Sequence, residues 1–66
     1  MKIQLNGEPR ELSDGCSAQQ LVTDMGLSGQ RLAMEVNREI VPRSEYARHI
    51  LHDGDQVEIV HAIGGG

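Results

Sequence analysis

The chain has 66 residues, enough for one domain and a small core. Ten acidic residues against six basic ones give a net charge of −4, and the chain has a single Cys, a single Tyr and no Trp or Phe. One cysteine excludes a disulfide within the chain, and Lys2, Arg10, Arg31, Arg38, Arg43 and Arg48 are too scattered for the basic surface that nucleic acid or an anionic membrane requires.

The opening run Met1-Lys2-Ile3-Gln4-Leu5-Asn6 alternates polar and apolar, so it reads as neither a signal peptide nor a membrane helix. The expectation is a cytoplasmic protein, monomeric when free, held together by aliphatic packing alone. Ile3 and Leu5 share one face of a half-buried strand. Asn6-Gly7 is a hairpin signal, since a type I′ turn needs positive φ at both central positions. Glu8 to Leu12 is the return strand, and Pro9, with no N–H to donate, assigns it to a sheet edge.

Ser13-Asp14-Gly15 closes the hairpin. Ser17 with Gln20 three residues on fits a capping box. Ala18, Leu21, Val22 and Met25 then form one apolar stripe at helical spacing. Gly26 suits the left-handed position just past the helix end, and Leu27 the hydrophobic contact that follows it.

Leu32 to Val36 alternates as a strand. Asn37-Arg38 is a tight turn into a short strand, Glu39-Ile40-Val41, which Pro42 ends. Ser44 is placed to cap a short helical turn in which Tyr46 and Ile50, four apart, face inward. Asp53-Gly54-Asp55 is a turn, and Gln56 to His61 the last strand, burying Val57 and Ile59. One helix over one face of a sheet is an α+β two-layer domain. If the last strand lies beside the first, it runs parallel to it. This order of elements looks like the ubiquitin-like β-grasp, with a mixed sheet of four to five strands and one main helix. The whole of residues 1–66 is one such domain, with 62–66 expected as an extended, mobile tail.

Sites of chemistry are sparse along this chain. Cys16 precedes the helix, but no His or Lys adjoins it in sequence, so a packing role is expected over a reactive one. His49 and His52 match no standard zinc spacing. Asp53-Gly54-Asp55 lacks the later ligands of a calcium loop, and His61 adds nothing to either, so no metal site is expected. The serines have turn or capping roles, Thr23 lies on the exposed side of the helix, and so small a domain leaves little room for a pocket. The chain reads as something acted upon and not as an enzyme.

Attention therefore falls on Gly64-Gly65-Gly66. Three glycines with no following helix or Lys are no phosphate loop. They do form a slim arm that, with Ile63, reaches about 13 Å when extended. A carboxylate becomes reactive only when joined to a leaving group such as AMP. An enzyme that does this threads the carboxyl through a narrow channel, which residues without side chains pass freely. Gly64 and Gly65 are then the threading segment and Gly66 bears the reacting carboxyl. Val60, Ala62 and Ile63 become docking residues at the root, with Val60 and Ala62 on the strand face opposite Val57 and Ile59.

Over nearly its whole length the chain resembles the ThiS family, the sulfur carriers of thiamine biosynthesis. The resemblance rests on Ile3-Gln4-Leu5-Asn6-Gly7, on Val36-Asn37-Arg38-Glu39-Ile40-Val41-Pro42-Arg43, on Asp53 to Val60, and on the ending His61-Ala62-Ile63-Gly64-Gly65-Gly66. Tyr46 stands where relatives often have Trp. The resemblance implies adenylation of Gly66 by a ThiF-type enzyme and replacement of AMP by sulfur mobilised from cysteine by a desulfurase. A thiazole synthase of the ThiG type then takes sulfur from the resulting thiocarboxylate. It also implies that the chain has no cofactor of its own, ATP and metal belonging to the activating enzyme. The small subunit of molybdopterin synthase and the ubiquitin-like modifiers share the fold and the Gly-Gly end. TGS domains share the Asp-Gly-Asp-to-strand segment, but sit inside longer proteins and do not finish in glycines.

Overall fold

The computed structural model describes residues 1–62. Its elements are β1 (Lys2–Leu5), β2 (Glu8–Glu11), α1 (Ala18–Asp24), β3 (Leu32–Val36), β4 (Glu39–Val41), a single 3-10 turn (Arg43–Glu45) and β5 (Gln56–His61). The five strands form one sheet in the order β2-β1-β5-β3-β4. β5 runs parallel to β1 and antiparallel to β3, and Pro9 lies on edge strand β2 where its missing N–H costs no central ladder bond.

Both hairpin turns place their asparagine in the left-handed region. Asn6 has φ of 51° before Gly7 at 84°, and Asn37 has φ of 53° before Arg38 at 70°. Each asparagine then uses its side chain to hold β5. Asn6 Nδ2 donates to the Ile59 carbonyl and its Oδ1 accepts from the Ile59 amide, at 3.1 and 2.9 Å. Asn37 Oδ1 accepts from the Gln56 backbone N–H at 3.0 Å, while the backbone N–H of Asn37 donates to the Gln56 carbonyl at 2.7 Å. The two turns thus fasten the central strand from either side. A side-chain amide supplies a donor and an acceptor where the backbone ladder is short.

The alternation of β1 and β5 puts Ile3, Leu5, Val57 and Ile59 under the helix, with Met34, Val36 and Val41 beside them. Ala18, Leu21 and Val22 close the core from α1, and Leu12, Tyr46 and Leu51 fill it from the connections. Helix α1 ends as its sequence predicts. The Gly26 amide donates to Thr23 and the Leu27 amide to Val22, a Schellman motif with Gly26 at φ 73°. No helix among the described residues is long and apolar enough to cross a membrane.

Three expectations are corrected. The capping box is only half made: Ser17 Oγ accepts from the Gln20 amide, but the Gln20 side chain turns down the helix to Asp24 Oδ1. Ser44 caps nothing, because the 3-10 turn is entered through Pro42 with no side-chain cap bond. Tyr46 is buried as expected, yet Ile50 is 43 % exposed while Leu51 is 1 % exposed. The chain has left helical geometry by then. It pairs with the start of α1, Ala18 donating to His49 and Leu51 to Cys16, and an extended chain alternates faces at every residue.

Candidate functional site

One face of the sheet carries α1; the other is open, and β5 runs along its middle. Val60 lies on that open face at 58 % exposure, with Ala62 exposed two residues on. The alternation that buries Val57 and Ile59 dictates this placement. The register brings further residues to Val60. It pairs with Ala33 of β3, and the next pair on the same face is Glu35 with Glu58. Glu35 pairs in turn with Ile40 of β4, which is 75 % exposed. The open face therefore presents Val60, Ala33 and Ile40 around two glutamates set directly opposite each other. Neither glutamate joins an ion pair among the described residues. Like charges set directly opposite each other weaken a sheet.

Ile40 was not legible as part of the face, whereas the alternation of Leu32 to Val36 already sets Ala33 on the face opposite Met34. In a three-residue strand two of whose residues are apolar, alternation cannot say which of Ile40 and Val41 points inward; the pairing of Val41 with buried Met34 decides it.

At the root of the C-terminal segment the Ala62 amide donates to the Arg31 carbonyl at 3.0 Å. His61 Nε2 and Gln30 Oε1 are hydrogen-bonded at 2.7 Å. Of the expected tail, 62–66, and of the expected docking and threading residues, Ile63, Gly64, Gly65 and Gly66 lie outside the described residues.

The competing groups have structural occupations. Cys16 is buried and its Sγ contacts the Ser17 carbonyl oxygen at 3.4 Å. Burial first, and Asp24 second, push its thiol up against a smaller opposing pull from Arg10, which is the wrong direction for a nucleophile. Asp55 accepts from the His52 amide and from Asn37 Nδ2, and Asp53 accepts from the Lys2 amide, so both carboxylates serve the turns. Among the described residues no three His, Cys, Asp or Glu side chains converge as metal ligands would. A depression of about 470 Å³ is lined by Gln4, Gly7, Arg38, Gln56, Val57 and Glu58. That is more room than a chain of this length suggests, but it is a groove open to solvent between the two hairpin turns, and no nucleophile lines it.

A five-stranded mixed sheet, parallel at its centre and covered on one face by a single helix, is the ubiquitin-like β-grasp. Comparison with known proteins narrows the class. The ThiS family model matches residues 3–66, and the chain belongs to the ThiS family. It is 32 % identical to the sulfur carrier protein ThiS of Escherichia coli, with all of both chains covered. It is 44 % identical, over its whole length, to part of a thiazole synthase from Paramagnetospirillum magneticum, of which it spans only 20 %. The crystal structure of the thiamine biosynthesis protein ThiS from Geobacter metallireducens superposes with a TM-score of 0.86 at 25 % identity, covering both chains fully.

Proposed function

We propose that this chain is a sulfur carrier of thiamine biosynthesis, a protein cosubstrate whose reacting group is the carboxyl of Gly66. A ThiF-type enzyme joins that carboxylate to AMP, with pyrophosphate leaving ATP. Sulfur drawn from cysteine by a desulfurase arrives as a persulfide, which displaces AMP at the acyl carbon to give an acyl disulfide. A second thiol then reduces the S–S bond, becoming part of a disulfide itself, and leaves the thiocarboxylate. A ThiG-type thiazole synthase receives the sulfur. ATP and its metal are substrates and cofactors of the activating enzyme, and this chain supplies only the acyl group and the surface that presents it.

The observation that carries this reading is the conjunction at β5. The open face bears Val60 and Ala62, the strand leads into Ile63 and three glycines, and the chain matches a sulfur carrier protein from end to end. The likeness of the whole chain to a fifth of a thiazole synthase supports a synthase of that kind as the receiving partner.

Blocking the carboxyl tests the reading. A variant with one residue appended after Gly66 should lose pyrophosphate exchange with the activating enzyme and ATP, while its melting temperature stays that of the parent. Exchange at the parental rate would reject Gly66 as the adenylated residue.

A further inference from the structure

β5 is held from both sides for most of its length, but not at its end. On one side its parallel pairing with β1 covers only Gln56 and Val57, and the Asn6 side chain extends it to Ile59. Among the described residues, beyond Ile59 the strand has a neighbour on the β3 side alone, where His61 pairs with Leu32, the first residue of β3. Two further bonds among the described residues anchor this end. Both run to the residues just before β3: Ala62 N–H to the Arg31 carbonyl, and His61 Nε2 to Gln30 Oε1. The Gln30 amide in turn donates to the Leu27 carbonyl at 3.2 Å, and Leu27 packs on the core as the residue closing the Schellman motif of α1. A continuous chain of bonds thus leads from the rigid helix end to the last described residue.

We propose that Gln30 and His61 form a bracket, with the Arg31 carbonyl, that holds the chain at Ala62, the last residue before the segment that ends in Gly66. Both are then positioning residues for the reaction at Gly66. The proposal rests on the sulfur-carrier reading above. The open face around Val60 governs encounter with the activating enzyme. The bracket governs the turnover of complexes already docked, by holding Ala62 at the root of the segment that reacts. A group held in place spares the complex the ordering it otherwise needs.

The two functions separate in steady-state kinetics of thiocarboxylate formation, read by intact mass with the ThiF-type enzyme, ATP and a sulfur source. Gln30→Ala and His61→Ala should each lower kcat about three- to tenfold, the range for loss of one exposed hydrogen bond. KM and melting temperature should stay unchanged, because both side chains lie at the surface. Gln30→Glu keeps an acceptor for the imidazole N–H and should restore kcat, and Val60→Asp should raise KM instead. In the free protein, hydrogen exchange at the Ala62 amide should quicken in both alanine variants. If the alanine variants react at the parental kcat while the parent is thiolated normally, the bracket is refuted and the carrier reading stands. If kcat falls without rescue by Gln30→Glu, the hydrogen bond is not the cause and the bracket is again refuted. A parent that gains no sulfur overturns both.

Discussion

Cys16 shows how a residue that resembles a reactive group in sequence is disarmed by its surroundings. It precedes a helix, where amide N–H groups favour a thiolate, but burial works against charge and Asp24 adds to the effect. The thiol's value is raised in the folded state. Its contribution to stability is therefore fully present at neutral pH and is lost as the pH climbs past the ordinary thiol value of 9.0. Iodoacetamide at pH 8 should alkylate Cys16 slowly in the native protein and quickly in urea, with stability falling above pH 9 less steeply in Cys16→Ala. Equal alkylation rates in the two states would show a reactive, accessible thiol. Arg38 shows the converse, a residue in a conformation it does not favour. Its φ of 70° is one that glycine adopts without steric cost, as Gly7 does at the matching position of the other turn.

At the level of elements, α1 is short, and its stability comes from the face it buries more than from its seven residues. Leu21 is fully buried at the centre of that face. Leu21→Ala should cost about 2–5 kcal/mol. A core of this size rarely supplies more than about 3–5 kcal/mol in all. The variant should thus lose a large part of its stability, its urea midpoint by circular dichroism falling by more than about 1 M; a smaller shift would mean the core is held by something other than this packing. The elements themselves were legible because each carried its own signal: alternation in β1, β3 and β5, Asn-led turns, and the Gly26–Leu27 stop. What local pattern could not supply was long-range. Ile50 and Leu51 exchanged roles because the segment pairs with the start of α1, a contact no window around residue 50 contains. The bracket was hidden for the same reason, since Gln30 and His61 are 31 positions apart. Val60 and Ala62 were legible because alternation alone places them.

The whole molecule divides its labour simply. One sheet face is spent on the core beneath α1; the other carries Val60, Ala33 and Ile40 around the Glu35–Glu58 pair. Cys16 is held in the core, and Asp53 and Asp55 are held in the turns. The central strand ends in a braced exit. This organisation suits a protein that is recognised along one face and modified at one end.

The most direct test is fragmentation mass spectrometry of the protein after reaction with ATP, a ThiF-type enzyme, a desulfurase with cysteine, and a thiol reductant. The account predicts that one oxygen is exchanged for one sulfur and that the change lies on Gly66. An unchanged mass, or sulfur added at Cys16 as a persulfide with Gly66 unaltered, would contradict it.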